Sequence, residues 1–202
     1  MTRRVVVALL APVAWSPPGI DPGDWRHALA EDVVDLLATL QEVETAVAVT
    51  HADRTLAEAV VWPGTPVIEV PTPTVNAVLG ALAGYDQAAV IAPDAPDLPG
   101  LTVGKLLRPL TSRPLAAAPV EGAGPGLLGF AARLPAPGWL PAIDLDTATP
   151  ALVRAAAPSP ADLAVTAAWH RLRGPADLAA LDPAVEGWEA TRALLSGARP
   201  GH

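Results

Sequence analysis

Short apolar runs alternate along this chain with amphipathic stretches, and no other feature constrains the fold as strongly. Val5 to Leu10 is apolar at every position. A strand covered by helices on both faces reads this way, whereas a half-exposed strand alternates. Thr45 to Val49, Val67 to Val70, Gln87 to Ala92, Leu115 to Val120 and Leu127 to Ala132 read as further strands. Between the first two, Trp25 to Leu40 sets Leu29, Val33, Leu36, Leu37 and Leu40 at three- and four-residue steps, with Glu31, Asp32 and Asp35 elsewhere. That spacing predicts a helix with one apolar face. Thr74 is placed to cap a helix carrying Val75, Val78, Leu79 and Leu82, closed by Gly84. Leu101 to Leu110 reads as helical. The tail adds a helix near 150–157, a strand near 163–168 and helical segments near 175–181 and 185–195. This order predicts an α/β, three-layer, Rossmann-like fold with a mostly parallel sheet. With no internal repeat and no long linker, residues 1–202 are expected to form one domain.

Charge narrows the partners. The net charge is -8, and no cluster of Lys or Arg supplies the basic face that a phosphate backbone needs. Nucleic acid and anionic membrane surfaces are therefore not expected partners. There is no Cys, which excludes disulfides, thiolate metal sites and cysteine nucleophiles. His27, His51, His170 and His202 lack metal-ligand spacing. Arg3 and Arg4 before Val5 to Ala14 superficially resemble a signal peptide. That apolar stretch is short and no clean Ala-x-Ala site follows, so it reads better as a first strand, and a cytoplasmic location is expected. No apolar run reaches the roughly 20 residues of a membrane span.

The chemistry concentrates after the fourth strand, in Pro93-Asp94-Ala95-Pro96-Asp97-Leu98-Pro99. Carboxylates here stand at the carboxyl edge of the sheet, where open α/β sheets bind ligands. Hard divalent cations prefer such oxygens. A plainer reading makes the same residues a turn, with Asp97 capping a helix from about Leu98 to Leu107.

The stretch resembles the acidic loop of glycosyltransferase-A-like nucleotidyltransferases, nearest the branch containing 2-phospholactate guanylyltransferase and its glycosyltransferase-like relatives. Asn76-Ala77 is similar to that family's Leu-Asn-Ala helix start. Ala118 to Gly129, with Glu121, Gly122, Gly124 and Gly126, resembles its Gly-rich turn. The resemblance implies a nucleotide-diphospho-sugar transferase type of fold and a nucleotide or nucleotide-sugar held by Asn76, Asp94 and Arg173. It also implies Mg²⁺ or Mn²⁺ on Asp94 and Asp97, and a small phosphorylated or carboxylate acceptor near Glu121, Gly122, Gly124 and Gly126. Asn76 reads equally as a solvated first-turn residue.

Three departures from the family pattern bear on activity. Leu10 to Asp24 contains no basic residue where the family grips phosphates; Arg26 is the nearest substitute. The late Asp-x-Asp motif of the family corresponds here to Arg171 and Arg173, ahead of Pro175, Asp177 and Leu178. That exchange removes a metal ligand and reverses the charge, which disfavours two-metal transfer. If both point into the cleft, they bind a diphosphate directly; otherwise they form a solvated pair. Asp144 and Asp146 either replace the lost carboxylates or make a turn and cap before Pro150. The expectation is a divergent nucleotidyl- or glycosyltransferase-like protein, the alternative a catalytically inactive relative acting as a binding or regulatory module.

Overall fold

A computed structural model describes residues 2–197. Seven strands form one sheet: β1 (Arg4–Leu9), β2 (Glu44–Val49), β3 (Val67–Glu69), β4 (Gln87–Ile91), β5 (Leu115–Pro119), β6 (Leu127–Arg133) and β7 (Leu163–Val165). Their spatial order is β3-β2-β1-β4-β6-β5-β7. Neighbours are parallel except for β6, which runs antiparallel to both β4 and β5.

The continuous apolar strands are buried on both faces because successive side chains point to opposite sides. Val6, Ala8, Val47, Val49, Ala89 and Ile91 face one layer with Val33, Val34, Leu37, Ala57, Val103 and Leu106. These come from α1 (Pro22–Thr39), α2 (Arg54–Val60) and α4 (Gly100–Leu107). Val5, Val7, Leu9, Ala46, Ala48 and Val90 face the other layer. There Val75, Val78 and Leu79 of α3 (Val75–Ala81), Val153 of α5 (Pro150–Ala156) and the segment 143–148 cover the sheet. The architecture is the three-layer α/β sandwich that the alternation predicts.

Local chemistry sets several boundaries. Thr74 caps α3 through the Ala77 amide, and Thr149 caps α5 through Leu152. Asp97 caps nothing: α4 begins at Gly100 with Pro99 as its cap residue. Its expected start at Leu98 is therefore two residues early. The last helix, α6 (Glu189–Leu195), starts four residues later than the expected 185. Its first-turn amides at Ala190 and Thr191 donate to the Asp32 carboxylate of α1, at 3.0 and 2.8 Å. Asp32 is thus buried and not on an outer face, because it serves as a cap for another helix. No helix among the described residues is long and apolar enough to cross a membrane.

Candidate functional site

Five segments meet beyond the carboxyl ends of the central strands. The end of β1 and the loop after it bring Leu9, Ala11 and Pro12, the segment before α3 brings Pro73, the stretch after β4 brings Pro93, and residues 144–146 and Arg171 close the far side. Together they line a cleft of about 190 Å³. Trp15 is not part of its wall; it packs edge-to-face on buried Trp25, with ring centres 6.1 Å apart. A larger hollow of about 450 Å³ lies beside α3, lined by Tyr85, Leu134 and Leu140 among others. It contains no charged side chain, so the carboxyl-edge cleft is where the ionic chemistry lies.

Asp94 is fully buried. Its Oδ1 and Oδ2 accept from Nε and Nη2 of Arg171 at 2.5 and 3.0 Å. The same guanidinium donates from Nη2 to Asp146 Oδ1 at 2.6 Å, and from Nη1 to the carbonyls of Leu127 and Leu145 at 3.1 and 2.9 Å. All five N–H groups of Arg171 are thereby engaged. Burial disfavours the charged guanidinium, but the charges and hydrogen bonds of Asp94 and Asp146 outweigh it and hold its pKa above the ordinary value. The backbone positions this side chain: Trp169 pairs beside Val120 at the end of β5, and the Leu172 amide donates to the Asp94 carbonyl at 2.8 Å. Residues 169–172 therefore bridge from β5 to the loop after β4.

Asp97, 1% exposed, has a different partner. His170 Nε2 donates to its two oxygens, at 2.8 and 2.9 Å, and Trp169 stacks on the imidazole at 4.9 Å. Burial acts to lower the His170 pKa, but the hydrogen bond and charge of Asp97, with Glu121 and Asp177 beyond, raise it above its usual value.

The two carboxylates expected to share a divalent ion thus each face a separate basic side chain. A divalent ion does not fit here, since it would have to displace Arg171 or sit against its charge. No group of three or more His, Cys, Asp or Glu converges as a metal site among the described residues.

The other expected residues are placed as follows. Asn76 donates to the Pro141 carbonyl at 3.1 Å and accepts from the Ile143 amide at 2.8 Å, so it clamps α3 to the 141–143 backbone. It is therefore not a solvated first-turn residue. Asp144 makes a turn by accepting from the Asp146 amide at 2.7 Å, while the capping falls to Thr149. Arg26 bonds Asp53 at 2.6 Å and the Leu10 carbonyl at 2.9 Å, tying the loop after β1 down rather than facing a ligand or solvent.

Arg173 lies half-buried over the Gly-rich turn. Its Nη1 donates to the Pro125 carbonyl at 2.9 Å, whereas Nε and Nη2 have no acceptor among the described residues. Gly126 has φ +124°, and a Cβ there would come within 2.6 Å of Arg173 Nη1. Gly122, also at positive φ, and Gly124 complete the turn, with Glu121 exposed at its start. The glycines let the guanidinium lie against the backbone. His202 lies outside the described residues.

The sequence reading missed Arg171 as a central buried group and His170 as the partner of Asp97. The one available signal was the exchange of carboxylate for guanidinium at 171, which demands an acidic partner.

No family model and no curated protein matches the sequence. Several solved structures match its fold along nearly the whole chain. A protein of Desulfovibrio desulfuricans G20, assigned by name to the nucleotide-diphospho-sugar transferases, superposes with a TM-score of 0.66 at 15% identity, over 97% of this chain and 96% of that one. A CMP:2-keto-3-deoxy-manno-octonic acid synthetase complexed with CTP gives 0.59 at 15% identity, over 98% and 99%. Glucosyl-3-phosphoglycerate synthase of Mycobacterium tuberculosis, in complex with Mg²⁺ and UDP, gives 0.56 at 17% identity, over 99% and 81%. The fold is that of the nucleotide-diphospho-sugar transferases, the glycosyltransferase-A type.

Proposed function

We propose that the protein binds a nucleotide or nucleotide-linked sugar in the carboxyl-edge cleft, as a divergent relative of the nucleotidyl- and glycosyltransferases. The observation that carries this reading is the convergence of the β1 loop, Pro93, Arg171 and residues 144–146 on one cleft at the carboxyl edge of this fold. Fold alone does not specify activity, so the reading rests on what the cleft offers.

Its volume is below the ~300 Å³ of a pocket that encloses a whole drug-sized ligand. It suits one ring, a base or a sugar. The Asp144 and Asp146 carboxylates on its wall are acceptors, so the ring must present N–H or O–H donors to them. Phosphates belong outside that acidic wall, toward Arg173, whose open N–H groups form the fork that suits phosphate. The turn of Glu121, Gly122, Gly124 and Gly126 beside it is then the acceptor side, for a small phosphorylated or carboxylate molecule.

A specific observation favours a second reading, a non-catalytic binding module on the same fold. Arg26 is tied to Asp53, and the β1 loop has no other cation, so nothing there neutralises a leaving phosphate. Calorimetric titration with CTP, UDP, GTP and UDP-glucose tests the shared claim. One of these should bind, and Arg173→Ala should weaken it at least about tenfold, the loss of a charge-assisted contact. Binding by none of them would contradict the proposal. Binding with no transfer to sugar phosphates or phosphoglycerate would select the second reading.

A further inference from the structure

The arrangement around Arg171 goes beyond nucleotide binding. Two carboxylates from distant parts of the chain, Asp94 and Asp146, converge with two backbone carbonyls, Leu127 and Leu145, on one point. Four oxygen-bearing groups around one centre, two of them anionic, make the donor set that a hard cation takes. The centre is filled by a guanidinium of this same chain. Its side chain is 3% exposed, and that of Asp94 is 1% exposed.

We infer that Arg171 is a resident cation filling an oxygen donor set that would otherwise suit a divalent ion, so that this acidic centre is metal-free by construction. The charge that holds Asp94 and Asp146 together is covalently fixed, always present and independent of metal supply, because guanidinium stays protonated at any physiological pH. Burial pushes the Asp94 carboxyl above its usual range, while the charge and hydrogen bonds of Arg171 oppose that rise. Without Arg171, therefore, Asp94 must take up a proton or another cation.

The test uses Mn²⁺ alone on the metal-stripped full chain, with no nucleotide present, read by the Mn²⁺ electron paramagnetic resonance signal and by thermal unfolding. Failure of the nucleotide proposal would leave this result untouched, and the converse holds too. Wild-type protein should leave the free-Mn²⁺ signal and its own midpoint unchanged at millimolar metal. Arg171→Ala should bind Mn²⁺ and unfold at a higher temperature in its presence, and Arg171→Ala with Asp146→Asn should lose both effects. Mn²⁺ binding by the wild type that Asp94→Asn abolishes would overturn the inference. So would an Arg171→Ala protein that folds and ignores Mn²⁺. Should Arg171→Ala fold only when Mn²⁺ is supplied, the inference is supported; should it fold under neither condition, the wild-type titration decides.

Discussion

Arg171 and Asp94 show how a buried charge pair behaves as a unit. Each ion loses its water on burial, and the mutual attraction offsets that loss only while both are present. Removing one partner leaves an uncompensated charge. Arg171→Met alone should therefore lower stability by about 3–5 kcal/mol, whereas Asp94→Leu with Arg171→Met should recover most of that loss. Urea unfolding of the two variants measures it; a double variant as unstable as the summed singles would refute the coupling. Gly126 carries a second prediction. Alanine there meets both a positive φ and the Arg173 guanidinium, so Gly126→Ala should cost about 1–3 kcal/mol. Arg173→Ala should relieve the steric part and leave the backbone part, which a double-mutant cycle separates. At this scale Asp94 and Asp97 were legible as carboxyl-edge acids, since an apolar run ending at Pro93 locates them. Their partners were not, because positions 77 and 73 residues away come near only through the sheet order.

Elements were legible where they are buried on a face or on both. The strands β1, β2, β4 and β5 fall within a residue of their apolar runs, because positions covered on both faces are apolar and polar residues such as Arg4, Glu44 and Gln87 stand only at the strand starts. The antiparallel direction of β6 was not readable, since an apolar run records burial and not direction. The helix α2 was missed: it has seven residues, of which only Ala57 and Val60 are buried, too few to make a stripe. The late start of α6 has a physical cause as well. It begins where Asp32 reaches its amides, and a cap lent by another helix leaves no local signature. Burial pushes the Asp32 carboxyl up to about 6, against the pull of the Thr191 and Ala190 hydrogen bonds. Between its unfolded value near ~4 and about 6, the folded state holds the proton and the unfolded chain releases it. Stability is therefore greatest below that window and declines as pH rises through it, by on the order of 3 kcal/mol. Asp32→Asn should flatten this slope in unfolding curves taken from pH 4 to pH 7. An unchanged slope would assign the pH dependence to other groups.

On the scale of the whole molecule, the sheet delivers the cleft. The parallel strands β1 and β4 lie side by side and end together, so the loops after them share one edge. The segments 143–146 and 169–173 then close over it, each anchored by backbone hydrogen bonds to strand ends. A glycosyltransferase-A fold with a guanidinium at its acidic centre should bind its nucleotide without help from a divalent ion. The most direct test is one nucleotide titration performed twice, in excess EDTA and in excess Mn²⁺. Equal affinity in the two is the result predicted by a resident Arg171 cation. Binding that appears only with Mn²⁺, and disappears in Asp94→Asn, would contradict it.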